Sequence, residues 1–181
     1  MGQVADRLAA MTITVSSPDG GVEARIRHRD PRSVTFAPGR YQQYEYDELE
    51  RQLAALARRC FVGYQRGVST IMAATSVDVV LEPERARNPA QAAYLREVAK
   101  LRVYGPRRDR ALVFGVEGTA HWRCRLAPGV LDRLSQVEFE AACLTAGREF
   151  LRFFEFEKLV LRNKHLGARR LNLTGRRRWW D

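Results

Sequence analysis

The side chains best suited to chemistry lie at the end of the chain, in residues 161–181, LRNKHLGARRLNLTGRRRWWD. The arginines that cluster there are Arg169, Arg170, Arg176, Arg177 and Arg178. Guanidinium groups form bidentate hydrogen bonds with phosphate, and the adjacent Trp179 and Trp180 are suited to stacking on bases. This segment holds six of the chain's net +10 charges, which indicates a polyanionic partner. Nucleic acid and an anionic membrane surface both fit, and the alternative is a solvated segment whose tryptophans fold back onto the body.

A second set of arginines falls in the body of the chain. Three lie on or beside one predicted strand and three at a predicted turn: Arg25, Arg27 and Arg29, then Arg107, Arg108 and Arg110. In VEARIRH, residues 22–28, apolar and polar residues alternate, so one face of the strand is expected to be buried and the other wet. Charges on a wet face are most often only solvated, and the alternative is that they add phosphate contacts.

No spacing of residues predicts a catalytic or metal site. The histidines are scattered, at His28, His121 and His165. The three cysteines lie on apolar faces of predicted elements, at Cys60, Cys124 and Cys143, where they are expected to be buried. The chain has no P-loop, no dinucleotide-binding glycine motif and no nucleophile elbow. We therefore expect no enzymatic activity, no metal and no cofactor.

Composition and charge bound the class of protein. The chain has 181 residues and is 45% apolar, which suits one ordinary domain or two very small ones. No apolar run approaches the ~18–20 residues that span a bilayer, and the start has no features of a secretory signal. An odd number of cysteines without a CxxC pair favours a reducing cytosol over a disulfide framework. We therefore expect a cytoplasmic protein without a membrane span.

The chain contains an internal repeat at an offset of 90 residues. Ala37-Pro38-Gly39 recurs as Ala127-Pro128-Gly129, and Glu48 and Glu50 recur as Glu138 and Glu140. The apolar pattern keeps register over about 60 residues of each copy, roughly 4–68 and 94–158. Each copy predicts a short helix, three strands and a long helix, the last marked by apolar residues at steps of three and four. Capping boxes are predicted at Asp47 with Glu50 and at Ser135 with Glu138.

The first copy resembles the YbaB/EbfC family of nucleoid-associated proteins, especially its actinobacterial branch. The resemblance is carried by Ser17-Pro18-Asp19-Gly20 in the first hairpin, the short turn before Val34, the proline near the end of the third strand and the Glu- and Leu-rich helix from Asp47. The second copy has Arg107-Arg108-Asp109-Arg110 where the first has Ser-Pro-Asp-Gly. The resemblance implies three antiparallel strands with flanking helices, paired as a symmetric dimer that binds DNA with little sequence preference.

Together these observations predict an α+β fold of two tandem α-β-β-β-α units with antiparallel sheets, forming a pseudo-dimer with a basic C-terminal tail. The expected divisions are residues 1–70, a connecting segment 71–92, residues 93–160 and the tail 161–181. The function expected is non-enzymatic binding of double-stranded DNA at the nucleoid, through phosphate contacts. The alternative is a protein-interaction module, such as an accessory or chaperone protein of type VII secretion, that uses exposed Phe153 and Phe156. Self-association of the chain is left open.

Overall fold

The computed structural model describes residues 2–74, 83–105 and 110–167. The elements of the first half are α1 (Gly2–Ala10), β1 (Thr12–Ser16), β2 (Val22–Arg27), β3 (Asp30–Phe36) and α2 (Tyr46–Ala73). Those of the second half are α3 (Pro89–Ala99), β4 (Arg102–Tyr104), β5 (Leu112–Glu117), β6 (His121–Leu126), α4 (Val130–Arg133) and α5 (Gln136–Leu166). Strands β1-β2-β3 form one antiparallel sheet and β4-β5-β6 a second. The predicted α+β class with antiparallel sheets is confirmed.

Backbone hydrogen bonds repeat at the offset of 90 residues. The N–H of His28 donates to the carbonyl of Met11 at 2.7 Å, and the N–H of Gly118 donates to the carbonyl of Leu101 at 2.6 Å. His28 and Gly118 also share a left-handed backbone, with φ of 56° and 67°. The two halves therefore follow the same path through the hairpin between their second and third strands.

The two Ala-Pro-Gly motifs end the third strand of each half. Gly39 and Gly129 have φ of 73° and 69°, a conformation that L-residues rarely adopt. A Cβ at either position would meet no atom within 4 Å, so the backbone angle and not crowding requires glycine there. Each motif leads into a short helical turn, Tyr41–Gln43 in the first half and α4 in the second. These turns separate the motif from the long helix.

The two long helices begin differently. The capping box of Ser135 and Glu138 is confirmed: the Ser135 hydroxyl accepts from the Glu138 N–H, and the Glu138 carboxylate accepts from the Ser135 N–H. The box predicted at Asp47 is wrong, because α2 already begins at Tyr46 and its N-cap makes no side-chain hydrogen bond. At its other end α5 continues to Leu166, so residues 161–166 of the predicted tail are helical.

Each long helix packs on both sheets. α2 contacts β1 and β2 of its own half and β6 of the other, while α5 contacts β4 and β5 of its own half and β3 of the other. The core residues of these helices, such as Leu49 and Phe139, are fully buried. Aromatic rings pack between the halves at two places. The ring centres of Phe36 and Phe139 are 6.0 Å apart, and those of Phe61 and Trp122 are 5.3 Å apart. Neither half completes its core without the other.

A pair of glutamates links the halves reciprocally. The Leu126 N–H, at the end of β6, donates to Glu50 Oε1 on α2 at 2.8 Å. The Phe36 N–H, at the end of β3, donates to Glu140 Oε1 on α5 at 3.0 Å. Both donors lie on edge strands, where a backbone N–H has no neighbouring strand to bond. The glutamates that recur in the sequence therefore play equivalent parts: each accepts from an otherwise unpaired backbone N–H of the other half.

The Ser17-Pro18-Asp19-Gly20 turn is organised by one carboxylate. Asp19 Oδ1 accepts from the Ser17 hydroxyl at 2.6 Å and from the Gly21 N–H at 3.0 Å. Its Oδ2 accepts from the Tyr44 hydroxyl at 2.6 Å and from Arg40 at 2.7 Å. Burial by itself raises the pKa of Asp19, but the hydrogen bonds from Ser17, Tyr44, Gly21 and Arg40 outweigh it and hold that pKa well below its usual range. The turn is thereby tied to the segment that precedes α2.

Replacing Glu50 or Glu140 by Ala is expected to lower the free energy of unfolding by about 1–3 kcal/mol each, because a partly buried N–H loses its acceptor. Glu→Gln at either site keeps an acceptor oxygen and is expected to cost less. Urea unfolding followed by circular dichroism measures both effects. The matched control is Glu48→Ala on the same turn of α2, whose carboxylate pairs only with neighbours on α2. Wild-type stability in Glu50→Ala and Glu140→Ala would contradict the reciprocal link.

Asp19→Asn is expected to lower the free energy of unfolding at pH 7 by about 2 kcal/mol, since charged hydrogen bonds are lost. A depressed pKa in the folded state stabilises the fold above the unfolded pKa of about 4 and ceases to do so as pH falls further. The difference between wild type and Asp19→Asn should therefore shrink below about pH 4. Asp6→Asn, at an exposed carboxylate of α1, is the control. A difference that is constant from pH 7 to pH 2 would count against the network.

Candidate nucleic-acid interface

A stripe of arginines runs along the face of α2 that points away from its apolar face. Arg51, Arg58 and Arg66 are spaced by seven and eight residues, so they share one side of the helix at intervals of about 10 and 12 Å. All three are exposed, whereas Leu49 and Leu53 on the opposite side are buried. The helix thus presents positive charge over about 22 Å of its length.

This stripe forms the floor of a groove with two walls. One wall is β1 and its following turn, and the other is the β5–β6 turn with the start of β6. The groove has a volume of about 970 Å³. Its charged or ionisable lining residues are Arg51, Arg58, Arg59, Arg66, His121 and Arg123. None of the lining residues is a carboxylate, and the helical positions of Ala55 and Val62 fall between those of the arginines on the floor.

Most of the charge in the groove is free to meet a ligand. Within the described ranges, Arg58 and Arg66 have no ion-pair partner, and Arg59 donates only to the carbonyl of Ser16 at 2.7 Å. Arg51 pairs with Glu48 one turn earlier on the helix. Arg123 reaches Glu117 at 3.9 Å, a weak exposed pair. Arginine groups in such a row match the oxygens of a phosphodiester backbone.

Both walls of the groove are held by the core. Pro18 lies in the turn that Asp19 organises, so the position of that wall depends on its hydrogen bonds to Arg40 and Tyr44. On the other wall, the Trp122 ring packs 5.3 Å from Phe61 and 5.4 Å from Phe150, centre to centre. The groove is therefore preformed by packing between the two halves.

The arginines predicted to share the wet strand face lie at separate places in the structure. Arg25 and Arg27 are exposed on β2, as the alternation predicts. Arg29 does not join them, because β2 ends at Arg27 and the Arg29 guanidinium donates to the Tyr64 hydroxyl at 2.8 Å and to Glu155 at 3.4 Å. It connects the two long helices instead. Arg110 pairs with Glu149 of α5.

Other predicted site residues lie outside the described residues. These are Arg107, Arg108, Arg169, Arg170, Arg176, Arg177, Arg178, Trp179 and Trp180. Of the two phenylalanines of the alternative function, Phe153 is half-buried and packs against the core, whereas Phe156 is 41% exposed. The structure therefore leaves one exposed ring of that pair on α5.

The three cysteines lie in or beside the apolar core. Cys124 and Cys143 are buried and Cys60 is largely so, which confirms them as packing residues. Burial raises the pKa of the Cys60 thiol to about 12, so it is protonated at neutral pH. Among the described side chains, no group of three His, Cys, Asp or Glu is placed to hold a metal ion. No helix in the described part of the chain has the length and apolar character needed to cross a membrane.

Sequence reasoning did not single out the α2 stripe. Its signal was present, because the spacing of Arg51, Arg58 and Arg66 places them opposite the apolar positions of the same helix. A basic helix face alone is, however, usually only solvated. The walls that turn this face into a groove come from β1 and from β6 of the other half, and helical periodicity does not predict them.

Comparisons with known proteins give no relative from which a function could be inferred, so the function rests on the geometry of the groove. No family model, curated protein or solved structure matches the chain.

Proposed function

We propose that this chain is a non-enzymatic DNA-binding protein of nucleoid-associated type that contacts the phosphate backbone with little base readout. The observation that carries the proposal is the groove along α2, which is lined by five arginines and no carboxylate. Each phosphate neutralised by an arginine releases condensed counterions, which is the main source of sequence-independent affinity for DNA.

The dimensions of the groove suit a duplex backbone. The arginine stripe extends over about 22 Å, which corresponds to about six or seven base pairs at a rise of 3.4 Å. The short side chain of Ala55 leaves room for a strand to approach the helix between the guanidinium groups. The lining contains none of the Asn, Gln, Asp or Glu side chains that read adenine or cytosine, and its arginines are suited to phosphate. Arg25 and Arg27 and the arginines of residues 168–181 would add further phosphate contacts.

We also propose that the chain is a fused pseudo-dimer of the YbaB/EbfC type. The reciprocal hydrogen bonds of Glu50 and Glu140 and the packing of each long helix on the other half's sheet support this interpretation. A unit of about 60 residues buries a small core and is only marginally stable alone. Fusion makes the pairing of two such units intramolecular and removes the dependence on protein concentration.

A second candidate function is protein binding through α5. It is favoured by Phe156, a large apolar side chain that is 41% exposed. A partner bound there would protect the ring and tolerate salt, whereas DNA binding weakens steeply as salt rises. The salt dependence of binding therefore separates the two candidates.

Arg58→Ala combined with Arg66→Ala is expected to weaken binding to a labelled duplex and to flatten the slope of log affinity against log salt by about 2, since each phosphate contact contributes about 0.9. Fluorescence anisotropy over a range of salt concentrations measures the slope. The matched control is Arg96→Ala with Arg133→Ala, which removes the same charge from exposed positions outside the groove. Equal losses in both double variants would show that only net charge matters and would contradict the groove assignment.

Ending the chain after Gly167 removes Arg169, Arg170 and Arg176–Arg178 and is expected to flatten the same salt slope by several units, at about 0.9 for each contact. Every described helix and strand remains, since α5 ends at Leu166 and Gly167 caps it in a left-handed conformation. Thermal unfolding checks that the truncated chain is folded. If the truncated protein keeps the full affinity and slope, the removed residues make no phosphate contact.

A further inference from the structure

The groove has a counterpart on the other half of the molecule. Applying the offset of 90 residues, the positions of Arg51, Arg58, Arg59 and Arg66 on α2 correspond to positions on α5. The residues found there are Ala141, Arg148, Glu149 and Phe156. Of the four arginines of the α2 face, one is thus retained and one is replaced by an acid.

The counterpart face is also neutralised by ion pairs. Arg148 donates to Asp30 at 3.1 Å and to the carbonyl of Pro31 at 3.0 Å. Asp30 pairs in addition with Arg32 at 3.4 Å, and Glu149 pairs with Arg110. Asp30, Pro31 and Arg32 stand at the positions of Ala120, His121 and Trp122, which form a wall of the groove on the α2 side. The corresponding wall beside α5 therefore carries a carboxylate, Asp30, where the wall of the α2 groove carries none.

The two faces differ in the charge that a ligand can reach. On the α2 face, Arg58, Arg59 and Arg66 have no carboxylate partner in the described parts of the chain. On the α5 face, Arg148 and Arg32 both pair with Asp30, and Arg152 is exposed with no ion-pair partner among the described residues. A phosphate approaching the α5 face would have to displace internal ion pairs and meet Asp30 and Glu149.

We propose that, of the two equivalent helix faces, only the α2 face binds a duplex and the α5 face takes no DNA. This rests on the proposed DNA-binding function and deepens it. A symmetric dimer presents two equivalent faces and can hold two duplexes together. Because the described arginines of the α5 face are mostly paired with Asp30 and Glu149, a single chain is expected to occupy one duplex and not to bridge it to another.

The test compares matched double variants in two assays. The groove variant is Arg58→Ala with Arg66→Ala, and the counterpart variant is Arg148→Ala with Arg152→Ala. The affinity for a labelled 12-base-pair duplex at about 0.1 M salt is expected to fall about tenfold or more in the groove variant and to change less than about twofold in the counterpart variant. Arg152→Ala alone accompanies the pair, because loss of the Arg148–Asp30 contact could lower stability.

Bridging is measured by capture of a second, labelled duplex on an immobilised one, at concentrations where the chain sediments as a monomer. The unmodified chain is expected to capture none. Ala141→Arg with Phe156→Arg restores two arginine positions of the α2 face on α5, and is expected to produce capture.

Three results would overturn the proposal. Equal losses of affinity in the groove and counterpart variants overturn the one-sided assignment while leaving DNA binding intact. The one-sided assignment is also overturned if the unmodified monomer captures a second duplex and the counterpart variant does not. Failure of the unmodified chain to bind any duplex overturns the proposed function, and the one-sided assignment with it.

Discussion

The structure depends on the burial of each long helix against the sheet of the other half. A three-stranded sheet with one helix has a small core, and its edge strand leaves backbone donors unpaired. Here Phe36, Phe61, Trp122 and Phe139 fill the space between the halves, and Glu50 and Glu140 accept from the two edge N–H groups. The packing of each long helix on the other half's sheet thus buries apolar surface and also gives both edge N–H groups an acceptor.

The groove is a consequence of that packing. Because α2 lies against β1 of its own sheet and β6 of the other, its outward face lies between two walls. Arginines that would point into open solvent on an isolated helix instead line a concave surface. The walls are rigid for separate reasons, since one is held by the Asp19 hydrogen bonds and the other by the packing of Trp122. A preformed site loses less conformational entropy when it binds.

The two halves resemble each other more in their core than on their surface. Equivalent core positions keep their apolar character, as Leu49 and Phe139 do, because each must fill space against the same kind of neighbour. Surface positions carry no such constraint, so Arg59 and Arg66 correspond to Glu149 and Phe156. Under the proposed pseudo-dimer origin, two halves within one chain do not need identical faces, and the charge can be concentrated on one of them.

The sequence by itself determined the repeat, the α+β class, the order of the strands and the bends at Gly39 and Gly129, because these follow from local periodicity and backbone preference. It did not determine that Arg29 leaves the strand face for Tyr64 and Glu155, nor that α2 begins before the capping box predicted at Asp47. Only the tertiary structure decided where the charge collects. A groove needs walls from segments distant in sequence, and their approach is set by packing between the halves, which no local pattern encodes.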